Sequence, residues 1–210
     1  GIVLSGGISM NPEIEVLTET PSLLGEGPLW DDLSRRLYFT DITGKKLNIL
    51  DWDTLNLTVI GLPQMAGCLA LTGEGKVMIA MEDGIYLREG DGSLNLIHER
   101  IGIAGPRFND GKAGPDGRFY AGTIRREGGG QVYRLEPSGI IEPILDNVRV
   151  SNGLDWSLDL KTLYYIDTPP RRIDAFDFDG EGGTIQNRRP IFAFPEGTGS
   201  PDGMTIDEEG

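Results

Sequence analysis

Apolar and polar residues alternate along this chain in short runs, and turns rich in glycine and aspartate separate one run from the next. Period-two alternation predicts strands that place every second side chain in a core. Glu13 to Thr18 (EIEVLT) reads as a half-buried strand. A turn at Asp31 to Ser34 then leads into Leu37-Tyr38-Phe39-Thr40-Asp41, and Lys46 to Asp51 follows as the next strand. The same order recurs as Cys68 to Leu71, a turn at Gly73 to Gly75, Val77 to Ala80 and Gly84 to Leu87. It recurs again from Asn109 through Pro115-Asp116-Gly117 to Arg118–Gly122 and Gln131–Leu135, and once more as Leu154–Trp156, Leu163–Ile166 and Ile173–Asp177. A unit of short strands repeating about every 40 to 50 residues has the length of a four-stranded propeller blade. Asp202 to Asp207 opens a fifth unit as its inner strand, and Glu208-Glu209-Gly210 is the turn after it. The expected fold is therefore all-β, a β-propeller of which this chain encodes about four and a half blades. Such a partial ring leaves strand edges exposed, so the chain reads as part of a longer propeller, with self-association as one way to cover the open edge.

One position of the repeat carries polar groups. Glu26 in Gly25-Glu26-Gly27-Pro28-Leu29-Trp30 and Asn152 in Ser151-Asn152-Gly153-Leu154-Asp155-Trp156 occupy the same point. Each precedes a glycine, then a tryptophan, a charged turn and an apolar strand ending in aspartate. Asp202 in Pro201-Asp202-Gly203-Met204 opens a third copy, and Asn109 in Arg107-Phe108-Asn109-Asp110-Gly111 a looser one, while the second unit offers only Gly67 and Cys68. Innermost strands of a propeller line its channel, so these four residues are expected to converge there. Two carboxylates and two amide carbonyls, without thiolate or imidazole, suit a hard divalent cation: Ca²⁺, Mg²⁺ or Mn²⁺. Zn²⁺ is usually better served by His or Cys. A cation would also offset the repulsion of two carboxylates out of water. Singly, each Asn-Gly or Asp-Gly pair is a turn signal; the shared repeat position is what marks a site.

Composition narrows the classes. With 31 Gly and 13 Pro among 210 residues, the chain fits a turn-rich β protein. A net charge of −14 argues against a nucleic-acid partner and suits either a cation site or plain solubility. A single cysteine, Cys68, excludes an internal disulfide and a cysteine-rich zinc site, and fits the reducing cytoplasm. No apolar run approaches the roughly 18 residues of a membrane helix. Residues 1–10, ending at the start-like Met10, read as a leader or expression remnant, and 11–210 as the propeller domain. His98, the only histidine, reads as a half-exposed strand residue, which counts against a Ser-His-Asp triad. Glu127-Gly128-Gly129-Gly130 reads as a hairpin rather than a phosphate loop, because no Lys-Ser/Thr follows. Asp174 to Gly180 lacks the ligand spacing of an EF-hand, and Trp30 and Trp156 read as blade core.

Those four spaced motifs, with Lys112 and Ser157 extending two of them, resemble the SMP-30/gluconolactonase family, which includes regucalcin. The resemblance runs from about Glu13 to Gly210. It implies a six-bladed propeller with a divalent metal in its channel, of which this chain would lack about a blade and a half, and hydrolysis of a sugar lactone. By position, Glu26, Asn152 and Asp202 match the metal ligands, and Asp202 also matches the general base. Arg107 and Asn109 match substrate contacts, and Glu127 falls where a substrate-binding glutamate is found. The implied activity is that of a metal-dependent lactonase on a gluconolactone-like ring. Its cofactor would be one divalent cation, Ca²⁺ first and Zn²⁺, Mg²⁺ or Mn²⁺ as alternatives. The implied partner is a small sugar lactone, with no nucleic acid and no membrane. Rival readings keep the site but make it an organophosphate or ester hydrolase, a calcium-binding regulatory protein, or a structural tie in an interaction scaffold.

Overall fold

The computed structural model of the chain describes residues 15–99, 102, 103 and 105–210. Residues 1–10, expected as a leader, lie outside that set. Sixteen strands form four antiparallel sheets of four, each a meander of consecutive strands. The first holds β1 (Gly25–Asp31), β2 (Arg36–Asp41), β3 (Lys46–Asp51) and β4 (Leu57–Gly61). The second holds β5 (Ala66–Leu71), β6 (Val77–Met81), β7 (Gly84–Arg88) and β8 (Leu94–Glu99). The third holds β9 (Arg107–Ala113), β10 (Phe119–Ile124), β11 (Gly130–Leu135) and β12 (Ile141–Val148). The fourth holds β13 (Ser151–Trp156), β14 (Thr162–Asp167), β15 (Arg172–Asp179) and β16 (Thr184–Ala193). Their first strands neighbour one another in the order β1, β5, β9, β13. This is a propeller arrangement of four blades, and no helix occurs among the described residues.

A hydrophobic core fills each gap between blades. Leu47, Leu69, Ile79 and Met81 pack between the first and second. Cys68, Ile85, Phe108 and Tyr133 pack between the second and third. Tyr120, Val132, Trp156 and Phe176 fill the gap between the third and fourth. There Trp156 meets Tyr120 edge-on at 5.2 Å and Phe178 at 5.7 Å, the geometry aromatic quadrupoles prefer. Polar contacts join the same two blades. Arg118 donates to the carbonyls of Gly180 and Glu181, and Arg134 to that of Gly183, so the β15–β16 turn is held by two guanidinium groups of the third blade.

The aspartate that ends the second strand explains its recurrence. Asp41 accepts backbone N–H groups of Leu23, Leu24 and Gly44, each at 3.0 Å. Asp167 accepts from Val150 at 2.8 Å and from Arg149, and Glu82 accepts from Met65 at 3.0 Å. Each carboxylate thus ties the segment entering the blade to its second strand. It supplies acceptors for N–H groups that no neighbouring strand reaches.

Three expectations are corrected. Residues 15–18 are not paired as a strand, while Glu13 and Ile14 lie outside the described set. Asp202 to Asp207 is also not a strand, since it has no antiparallel ladder and meets β13 through a single backbone bond, Gly153 N–H to Asp202 C=O. Trp30 is 42% exposed rather than core. The position facing the preceding blade is filled by Trp156 in the fourth blade, but the first has no preceding blade among the described residues, and Trp30 packs edge-on against Trp52 instead. Asp174, in the stretch compared with a calcium loop, is a buried ion-pair partner of Arg172 (2.8 Å) and Arg188 (2.6 Å) in β15. Trp156 and the half-buried His98 stand where expected.

Burial opposes ionisation of Asp41, but the N–H groups of Leu24, Leu23 and Gly44 outweigh it and hold the carboxyl below its ordinary value. A carboxylate with a depressed folded pKa contributes stability above its unfolded pKa and loses it as pH falls through the folded one. Asp41→Asn, which turns a donor toward those N–H groups, is expected to cost about 1–3 kcal/mol at pH 7. In thermal melts the gap to wild type should close as pH falls below the ordinary carboxylate range; a gap constant with pH would contradict this role.

Candidate metal and substrate site

Every inner strand bulges at the same depth. In β9, Asn109 and Asp110 together oppose one residue of β10, because pairing jumps from Phe108–Thr123 to Gly111–Ala121. In β13, Asn152 and Gly153 do the same between Ser151–Asp167 and Leu154–Tyr165. In β1 the pair is Gly27-Pro28, with Glu26 still in register opposite Thr40, and in β5 the extra residue is Gly67. Gly27 takes a φ of 59°, the left-handed conformation such a bulge asks of glycine. A bulge interrupts alternation, so neighbours that a regular strand would send to opposite faces can both serve the channel.

Donor and acceptor identities fix the amides. Arg107 can only donate, and its Nη1 is 2.8 Å from Asn109 Oδ1. Asn109 Nδ2 therefore points away from it and donates to the Ser151 carbonyl (2.7 Å) and to Asn152 Oδ1 (3.1 Å). Asn152 in turn donates through Nδ2 to Thr168 Oγ1 at 2.6 Å. Each amide oxygen accepts one hydrogen bond, Asn109 Oδ1 from Arg107 and Asn152 Oδ1 from Asn109, so each keeps one lone pair, while both N–H groups of Asn109 are spent within the protein. The two amides differ in what holds them, Arg107 at Asn109 and Thr168 at Asn152.

Arg107, Asn109 and Asn152 are joined by hydrogen bonds. Asp202 adjoins them because its carbonyl accepts from Gly153, while its side chain stays exposed. Asp155 Oδ2 anchors the rest of that segment, accepting from Ile206 N–H at 3.0 Å and from Thr205 Oγ1 at 3.3 Å, and it also pairs with Lys112. Glu26 is brought in by charge. Burial raises its carboxyl pKa, Asp202 and Asp110 raise it further, and Arg107 opposes them. Burial lowers the Arg107 pKa, with Cys68 and Glu26 pushing back. Glu127 is exposed in the β10–β11 turn, at the end of the blade where Arg107 opposes Ile124; no hydrogen bond or ion pair links it to the others among the described residues. The Cys68 thiol is buried and pushed up, chiefly by burial.

Two residues that sequence reasoning passed over belong to this region. Asp110, raised by burial and by Asp202, lines a cavity of about 430 Å³ with Glu26, Leu69, Lys112, Leu154 and Met204. Of the expected residues only Glu26 borders that cavity. The signal for Asp110 was the Asn-Asp-Gly triplet, which a regular strand would have split between faces. Lys112 two residues on was its in-phase neighbour. Blade two gives no ligand because Gly67 lies against the Phe108 and Asn109 carbonyls, where a side chain has no room. Among the described residues, no three His, Cys, Asp or Glu side chains are grouped to hold a metal. A cation would therefore need an amide beside the carboxylates. Glu26, Asp202 and the Asn152 Oδ1 are such an oxygen set, and the crowding of Glu26, Asp110 and Asp202 leaves negative charge for a dication to offset. The donor chemistry fits.

Known proteins resemble this chain. Residues 24–210 match the profile of the SMP-30/Gluconolactonase/LRE-like region. The chain is 39% identical over 202 residues to "Putative sugar lactone lactonase YvrE" of Bacillus subtilis (strain 168), an alignment covering 91% of this chain and 68% of that protein. It is 36% identical over 209 residues to 6-deoxy-6-sulfogluconolactonase of Pseudomonas putida, covering 96% and 71%. The solved structure of a calcium-binding protein, regucalcin, from Agrobacterium tumefaciens superposes with a TM-score of 0.83 at 30% identity, over 93% of this chain and 68% of that one.

The raised carboxyls carry a sign that can be measured. A folded acid with a raised pKa holds its proton longer than the unfolded chain does, so stability falls as pH rises above the ordinary carboxylate range. Without added metal, Glu26→Gln should melt higher than wild type at pH 7 and show a flatter pH dependence between about pH 4 and 7. Superimposable melting profiles in EDTA would contradict the charge crowding.

Proposed function

The chain belongs to the SMP-30/gluconolactonase/LRE-like family, and from that premise we propose that it is a divalent-cation-dependent hydrolase that opens a sugar lactone of the gluconolactone class. The observation that carries this is the Arg107–Asn109–Asn152 chain, which puts two amide oxygens, each with a lone pair to spare, beside the Arg107 guanidinium. Relatives named as lactonases supply the reaction class.

Glu26, Asn152 and Asp202 would hold the cation through oxygen alone, with Ca²⁺ the first choice and Zn²⁺, Mg²⁺ and Mn²⁺ as alternatives. When bound, such an ion supplies Lewis acidity toward the lactone carbonyl. The remaining work belongs to the chain's own groups. Arg107 donates to sugar oxygens through the N–H groups it does not spend on Phe108 and Asn109, and the remaining lone pair of Asn109 Oδ1 accepts from a sugar hydroxyl, so the two orient the ring. Glu127, at the same end of the third blade, is assigned to a substrate hydroxyl. The exposed Asp202 carboxylate reaches water and takes its proton as the water oxygen bonds to the carbonyl carbon. The ring C–O bond then breaks, and its oxygen leaves as a hydroxyl once protonated. We place the protein in the cytoplasm, consistent with its buried unpaired Cys68. A second reading, cation binding without turnover, draws on the solved relative described as a calcium-binding protein.

Gluconolactone hydrolysis followed by pH-stat decides between them. EDTA should abolish activity and one of the four cations should restore it. Asp202→Asn should keep part of the cation affinity and lower kcat by about 10²–10⁴-fold, the usual worth of a positioned base. Wild-type turnover in that variant would remove Asp202 as base. Tight Ca²⁺ binding with no turnover of any lactone would favour the second reading.

A further inference from the structure

We propose that Thr168 is a positioning residue whose hydroxyl orients two of the three cation ligands at once; the inference rests on the cation site proposed above. Thr168 follows β14 directly, and its backbone N–H donates to the Val150 carbonyl at 3.1 Å, which fixes its place at the entry to β13. Its Oγ1 has two partners. It donates to the Pro201 carbonyl at 3.0 Å and accepts from Asn152 Nδ2 at 2.6 Å.

The direction of this relay is forced. A carbonyl oxygen can only accept, so the single hydroxyl hydrogen goes to Pro201, and only a lone pair remains for Asn152. The Asn152 carboxamide must then show its NH₂ to Thr168 and its oxygen to the channel. Without the hydroxyl, the amide loses one of the two partners that distinguish its ends. Asn109 alone, donating from the other side, would still favour the oxygen there, but the buried NH₂ would lack an acceptor.

The same hydroxyl tethers the segment that carries Asp202. Residues 200–207 have no ladder, and the residue before Asp202 is held by Thr168 while Asp202's own carbonyl is held by Gly153. One hydroxyl therefore couples the orientation of Asn152 to the position of Asp202. Partners one shell behind a metal ligand commonly set affinity by 10–100-fold.

The test compares Thr168→Val, which keeps the shape without the hydroxyl, with Thr168→Ser, which restores it. Calorimetric titration of EDTA-stripped protein with Ca²⁺, Mg²⁺, Mn²⁺ and Zn²⁺ is the first readout, and lactonase kinetics at saturating cation the second. Thr168→Val should bind the preferred cation at least tenfold more weakly and lose kcat, with KM for the lactone near wild type because Arg107 and Asn109 are untouched. Thr168→Ser should return both values to within about threefold of wild type. Should the valine variant not fold, Thr168→Cys, with a far weaker donor, is expected to show the same losses. Valine or cysteine variants that bind the cation as wild type does would overturn the role of Thr168 alone. A folded wild type that binds none of the four cations would overturn the proposed site, and this assignment with it.

Discussion

An inner strand of a blade is hydrogen-bonded along one edge only. Its other edge faces the channel, where backbone donors and acceptors have no second strand to meet and still need partners. Much of the polar chemistry described here answers that requirement. Asn109 reaches the Ser151 carbonyl, Arg107 the Phe108 carbonyl, Thr40 the Glu26 carbonyl, and Gly153 the Asp202 carbonyl. Side chains recruited to satisfy an open edge are thereby brought to one depth of the channel and held at fixed angles. Edge satisfaction and site construction are the same set of contacts.

Two kinds of carboxylate result. Asp41 and Asp167 sit among backbone N–H groups and are stabilised as anions by the chain itself. Glu26 and Asp110 lose water without gaining comparable donors, and their neighbours are other acids. The first kind holds blades together. The second holds charge that the protein does not neutralise internally, which is where an external cation has something to contribute. Lys112, which opposes the rise at Asp110, is already engaged by Asp155, and Arg107 offsets only part of the rise at Glu26.

Much of the fold was legible because the middle strands are short, largely apolar runs bounded by turns: β2, β3, β6, β10 and β14 lie within a residue or two of where the pattern puts them. The outer strands were not. β4 and β16 are mostly exposed, so no apolar period marks them. The segment at Asp202 copied the sequence of an inner strand without being one, since a strand is made by pairing, which a motif cannot supply. Trp30 matched Trp156 in sequence, yet burial depends on the adjoining blade rather than on the residue. At the site, the shared repeat position picked out Glu26, Asn109, Asn152 and Asp202. The orientation of Asn152 came from Asn109 and Thr168, 43 and 16 residues away, which no local motif shows. Asp110 stayed hidden because alternation fails at a bulge.

The thin attachment of residues 200–207 has a kinetic meaning. Blades are meanders of successive strands with short turns, so each one closes small loops and is favoured to form early. The segment bearing Asp202 is attached to the fourth blade by a few bonds, from Gly153, Thr168 and Asp155, rather than by a ladder. Such a segment can detach while the blades stay folded, because local opening there breaks little else. The interblade cores govern the lifetime of the folded chain. The tether governs the fraction of that lifetime during which Asp202 lies beside Gly153, and a ligand that needed Asp202 together with β13 would be captured and released on the clock of the tether.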